Sequence, residues 1–137
     1  MMYERILVPL KWDSSDEAVL EHAGSMALAT GGRVTLLHVV HSHSRDEAAY
    51  RLGQAQKYLD EMAGKIAARG VQVATKVAID EPAVGISSSA RDIDANLIVM
   101  ATHGHSEMRH LFVGSVTEDV IRRSETPVLL IRPAEAS

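Results

Sequence analysis

A chain of 137 residues has room for one sizeable core, and 46% apolar with 23% charged residues is the balance of an ordinary globular protein. There is no cysteine, so disulfides, thiolate catalysis and cysteine-ligated zinc or iron–sulfur centres are excluded. A formal net charge of −4 gives no general attraction to nucleic acid, and one Trp with one Phe is too little for a base-stacking platform.

The chain opens with MMYERILVPLKWDSS, whose apolar run of five residues stands beside Glu4 and Arg5. That is too short and too charged for a secretory signal, and no later run approaches membrane-spanning length. A cytoplasmic location, with no membrane partner, is expected. RILVPL (5–10) predicts the first strand. Ser14 or Ser15 then caps a helix with Asp16 and Glu17 in its first turn, and Gly31-Gly32 ends it. RVTLLHVV (33–40) predicts the second strand.

From about Asp46 to Arg69, the residues Leu52, Ala55, Leu59, Met62 and Ile66 recur at three- and four-residue steps, a helical stripe stopped by Gly70. VQVATKVAI (71–79) alternates, with Val71, Val73, Thr75 and Val77 on one side, as a strand near a sheet edge does. Glu81-Pro82 opens a third helix running to about Asp92, although its GISSSA centre is weak helix material. NLIVM (96–100) and PVLLIRP (127–133) predict two more strands, and Val116, Val120 and Ile121 mark one face of the helix between them.

Four of the five strands are nearly continuous in Val, Ile and Leu, which suits parallel strands covered on both faces. Strand and helix alternate throughout. The expected fold is an α/β doubly wound five-stranded parallel sheet with right-handed crossovers, helices on both faces and strand order 3-2-1-4-5. With no internal repeat or linker, residues 1–137 are expected to form one domain.

Such sheets bind ligands outside the carboxyl ends of their strands, where the order reverses. The loops to inspect are PLKWDSS and ATHGHSEMRHLFVGS. In the second, nine residues separate Gly104 from Gly114, Ser115 follows, and Glu118 stands at capping-box spacing from that serine. Unpaired N–H groups at the helix start favour an anion, and glycines let backbone amides approach phosphate oxygens. The same spacing also fits an ordinary glycine turn, and the residues alone leave both readings open. It is not a Walker A loop, since no lysine follows the second glycine.

Other residue groups carry less. His41 with His43, and His103 with His105, have two-ligand spacing but no evident third partner, and are read as solvated pairs. His38, inside an apolar strand, is a core or wall residue. Arg109 and His110 either face phosphates or lie uninvolved on the surface, and Trp12 is either a lid or a packing residue. Asp92 and Asp94 read as solvated surface at a helix end. No nucleophile elbow is present, and if ATP binds, only slow hydrolysis through charge neutralisation is expected.

The block LIVMATHGHSEMRHLFVGSVTEDVIRRSETPVLLIRP resembles the C-terminal signature of the universal stress protein family. ILVPLKWDSSDEAVLEHA and VTLLHVV resemble its first strand–helix unit and second strand, so the likeness covers essentially the whole chain. Nucleotide-binding members carry Gly-x2-Gly-x9-Gly-Ser/Thr, whose backbone holds ATP phosphates and ribose. The resemblance places Gly104, Gly114 and Ser115 at the second glycine, third glycine and hydroxyl of that motif, with Val116 and Thr117 continuing the turn. It places Pro9 and Leu10 on the adenosine side, Val39 at the adenine wall, Met100 before the motif, and His103 before its second glycine.

Two positions depart from the family pattern. Ala101 replaces the first glycine, a mild change where φ is negative and a costly one where φ is positive. Lys11 stands where the family usually has Asp; an ammonium cannot accept ribose hydroxyls or help hold a metal ion, but it can reach a phosphate. Asp13, two residues on, is the substitute acid. The resemblance implies an ATP-binding stress-response protein, with or without Mg2+, acting as a sensor or switch and not as a turnover enzyme. It also implies a symmetric homodimer through the last strand, Val128–Arg132. The competing reading is a homodimeric scaffold of the same fold that has lost its nucleotide.

Overall fold

A computed structural model describes residues 2–102 and 114–133. Five strands, β1 (Arg5–Pro9), β2 (Arg33–Val40), β3 (Gln72–Ile79), β4 (Leu97–Ala101) and β5 (Val128–Ile131), alternate with four helices, α1 (Asp16–Thr30), α2 (Arg45–Ala67), α3 (Pro82–Asp92) and α4 (Ser115–Arg123). The strands form one sheet in the order β3-β2-β1-β4-β5, all neighbours parallel, as expected from sequence. Ile6 pairs with both Val34 and Leu97, so the chain doubles back on either side of β1.

Alternation along β1 divides the core in two. Ile6 and Val8 point to one face, with Val19, Ala23 and Ala27 of α1 and Leu59, Met62 and Ile66 of α2. Leu7 points to the other, with Ala83, Ile86 and Ala90 of α3 and Val120 of α4. Ile6, Leu7, Val8, Leu36 and Ile98 have no exposed surface, because both faces of the central strands are covered. β3 is at an edge, which explains its alternating pattern, and β5 is at the other.

The starts of three helices differ in detail from expectation. α1 has Ser15 at its cap position but no side-chain cap bond; the Asp13 carboxylate instead accepts the Ser15 N–H at 2.8 Å and its hydroxyl. α2 begins at Arg45, one residue early, because the Ser44 hydroxyl accepts the Glu47 N–H. At α4 no Ser115–Glu118 capping box forms. Gly114 takes the cap position at φ +98°, a conformation that suits glycine, and Ser115 is already the first helical residue. The Glu118 N–H then bonds the Gly114 carbonyl at 3.0 Å. Among the described residues, no helix is long and apolar enough to cross a membrane.

Candidate functional site

The carboxyl ends of β1, β2 and β4 converge beside the start of α4, at the point where the sheet order reverses. A cavity of about 240 Å³ opens there. Pro9 and Leu10 form its floor from β1, His38 and Val39 one wall from β2, and Met100 the end of β4. Pro82 and Ile86 of α3 and Val116 of α4 close the far side, and Lys11 stands at the rim. A larger open hollow of about 620 Å³ lies at the amino ends of the strands, beside Tyr3, Asn96 and Pro127. That is the end of an α/β sheet where ligand chemistry is not built.

Local contacts shape the small cavity. A Cβ on Gly85 would lie 2.8 and 2.9 Å from the two methyls of Val39, so only glycine lets α3 approach that wall. The Leu10 N–H donates to the Leu37 carbonyl at 2.7 Å, prolonging the β1–β2 pairing by one residue. His38 Nδ1 lies 2.9 Å from the Leu10 carbonyl; since a carbonyl only accepts, this nitrogen carries the proton.

Beyond Leu10, the loop wraps a buried carboxylate. Asp16, 2% exposed, accepts the Lys11 N–H at 2.9 Å on one oxygen and the Trp12 N–H at 2.8 Å on the other. The Tyr58 hydroxyl of α2 donates to that second oxygen too. Burial pushes the Asp16 carboxyl above the usual carboxylate range; the bonds from Tyr58, Lys11 and Trp12 oppose the rise, and the Asp13 charge adds to it. Burial, and then the Asp16 carboxylate, push the Tyr58 phenol well above its ordinary range. Trp12, at φ +64°, stacks on the Tyr58 ring at 4.8 Å and 14° and meets the His38 ring nearly at right angles, with centroids 5.7 Å apart.

The structure brings together Pro9, Leu10, Lys11, Val39, Met100 and Val116, all expected at the site. Gly114 and Ser115 form the start of α4, while Thr117 is buried and is not part of the cavity wall. Ala101 is buried at the end of β4, within the core on the α1 side. Positive φ among described non-glycine residues occurs only at Tyr3, Trp12 and Asp94, so the Ala101 methyl causes no backbone strain. Gly104 and His103 lie outside the described residues, as do His105, Arg109 and His110.

Asp13 is engaged by Ser15 and is not a wall residue, so its expected substitution for the family's acid finds no support in the geometry. Trp12 packs on Tyr58 and is 43% exposed. His41 and His43 have ring centroids 5.4 Å apart, and among the described residues no group of three or more potential ligands could hold a metal ion. Asp92 pairs with Lys76 at 2.9 Å and Asp94 with Arg5 at 3.4 Å, both on the surface as expected. Sequence reasoning missed Pro82, Ile86 and the Asp16–Tyr58 pair. Asp16 reads in sequence only as an acid in a first helical turn, and nothing in the pattern pairs it with a tyrosine 42 residues later.

The sequence model of the universal stress protein family matches residues 2–132. Universal stress protein MJ0577 of Methanocaldococcus jannaschii is 26% identical, over 96% of each chain. Universal stress protein YxiE of Bacillus subtilis is 32% identical, over 91% of this chain and 85% of its own. Among solved structures, MJ0577 superposes with a TM-score of 0.85 at 26% identity, covering 99% of this chain and all (100%) of that one. A universal stress protein from Archaeoglobus fulgidus in complex with dAMP superposes with a TM-score of 0.76 at 27% identity, covering 96% and 100%.

Proposed function

The chain belongs to the universal stress protein family, and we propose that it binds an adenine nucleotide, ATP foremost, as a sensor or switch and not as a turnover enzyme. The observation that carries this reading is the cavity where β1, β2 and β4 end beside the start of α4. Its 240 Å³ is below the roughly 300–1,000 Å³ usual for a whole drug-sized ligand, and so suits a base more than a complete nucleotide. Val39, Ile86 and Met100 offer apolar walls for a purine. The phosphates then fall outside, toward the N–H groups of Ser115, Val116 and Thr117, which have no acceptor one helical turn earlier within α4.

Lys11 at the rim adds a fixed positive charge, which favours a polyphosphate whether or not Mg2+ accompanies it. A relative of the same fold was solved with dAMP, which supports adenine as the base. Asp16, the one buried carboxylate among the described residues, has both oxygens occupied, which supports a binding role over general-base catalysis. In this reading the protein works in the cytoplasm, where adenine nucleotides are abundant.

The test is to denature the purified protein, assay for released ATP, ADP or AMP, and titrate it calorimetrically with ATP and Mg2+. Carried nucleotide or saturable heat is expected; neither, at millimolar ATP, would overturn the reading. A second reading, a homodimeric scaffold without nucleotide, draws on β5. It is an edge strand on which Val128, Leu129 and Leu130 remain partly exposed, apolar material suited to a second copy across a two-fold axis.

A further inference from the structure

Two successive backbone N–H groups, from Lys11 and Trp12, converge on the carboxylate of Asp16. Adjacent amides arranged this way form a small anion-binding concavity, filled here by the protein's own side chain. Trp12 is held at φ +64°, a conformation that a bulky residue keeps only when its surroundings enforce it. The enforcing contacts come from two sides: Asp16 on the amide, and the Tyr58 ring beneath the indole. Tyr58 itself is tied to Asp16 through its hydroxyl, so α2 and the loop after β1 share one fastening.

That loop is the rim of the cavity. Lys11 is the one lysine, arginine or carboxylate among the cavity's described wall residues, and its backbone position is set by the bond to Asp16. Trp12 touches His38, which lines the cavity and holds the Leu10 carbonyl.

We propose that Asp16 is a positioning residue of the ligand site: fastened to α2 through Tyr58, it fixes the backbone from which Lys11 presents its ammonium to the ligand's phosphates. This rests on the nucleotide reading of the cavity. Asp16 touches no ligand; it acts through Lys11 and Trp12. Because the carboxylate is 2% exposed, it has no solvent to fall back on when a donor is lost, so the loop and α2 hold it jointly.

Trp12 is the chain's single tryptophan, so its fluorescence reports on this loop alone. The experiment compares the wild-type protein with Asp16→Asn, Tyr58→Phe and, as a control, Glu125→Gln, an exposed residue at the opposite, amino end of the strands. Without ligand, we would measure hydrogen exchange at the Lys11 and Trp12 amides and the Trp12 emission. ATP affinity would then be measured by calorimetry on each variant, well below its unfolding midpoint.

Asp16→Asn should speed exchange at both amides, red-shift Trp12 and weaken ATP by about tenfold, Tyr58→Phe by about threefold, and Glu125→Gln should change nothing. Unchanged exchange and emission in both Asp16→Asn and Tyr58→Phe would overturn the proposal. So would faster exchange with wild-type ATP affinity, the pattern of a purely structural carboxylate. Tyr58→Phe keeps the ring under Trp12 and removes only the donor, so it decides the matter alone should Asp16→Asn not fold. Protected amides in a wild-type protein that gives no heat with ATP would instead overturn the nucleotide reading, and Asp16's part in ligand positioning with it.

Discussion

Val39 and Gly85 meet so closely that a methyl group on Gly85 would stand 2.8 Å from one Val39 methyl and 2.9 Å from the other. Rotating the valine cannot relieve both contacts, so Gly85→Ala must push α3 away from the cavity wall. Alanine gains about 1 kcal/mol of helix propensity, and overpacking costs about 1–3 kcal/mol, so a net loss of about 0–2 kcal/mol is expected. Adding Val39→Ala should recover part of it. A urea-denaturation double-mutant cycle reads the coupling, and strict additivity would show that the two side chains do not compete for the same space.

Lys11→Asp reverses the charge at the cavity rim. ATP affinity without metal should fall by about tenfold or more, with Mg2+ recovering part of it by screening the new carboxylate from the phosphates. Titrations with and without Mg2+ check this. Indifference to the substitution would remove Lys11 from the site.

At the far edge of the sheet, Leu130 is partly exposed on β5 and pairs in register with Met100. If two copies join along β5, Leu130→Glu places two carboxylates near the two-fold axis, where like charges oppose association. Sedimentation velocity should show the dimer shifted to monomer. A dimer of undiminished strength would exclude this edge as the interface.

Alkaline pH tests the fastening around Tyr58. In the unfolded chain the phenol ionises near its ordinary value of 10.0; in the folded protein, burial and the charges of Asp16, Asp13 and Glu17 hold it protonated to higher pH. The folded state therefore keeps a proton that the unfolded state releases. The stability this provides is complete below pH 10 and declines as pH rises beyond it. The stability difference between the wild type and Tyr58→Phe should accordingly narrow above pH 10, as read by chemical denaturation at a series of pH values. A constant difference would mean that the Tyr58 hydroxyl is not held by Asp16.

How much of this was legible in the chain depends on the distance over which each feature is encoded. Runs such as RILVPL and RVTLLHVV announce buried parallel strands because strands covered on both faces read as nearly continuous apolar runs and not as an alternation. The alternation of strand and helix, with right-handed crossovers, then leaves few topologies, and the 3-2-1-4-5 order is among them. Position in the fold pointed only to the loops after β1 and β4; it was the family resemblance that put Pro9, Leu10, Lys11, Val39, Met100 and Val116 at one site, and all six line the cavity.

Tertiary packing alone decided the rest. Whether Ala101 or Gly114 occupies a glycine-only conformation depends on φ, and only Gly114 does. The capping box that Ser115 and Glu118 suggest is displaced because the turn into α4 uses Gly114 as its cap. Pro82 and Ile86 reach the cavity, and Gly85 packs behind its Val39 wall, because α3 lies against β2, and no residue of α3 states that by itself. Asp16 and Tyr58 meet across 42 positions of chain. Hydrophobic periodicity records which face of an element is buried, but a single hydrogen bond between a helix's first turn and another helix's middle has no period to leave in a sequence.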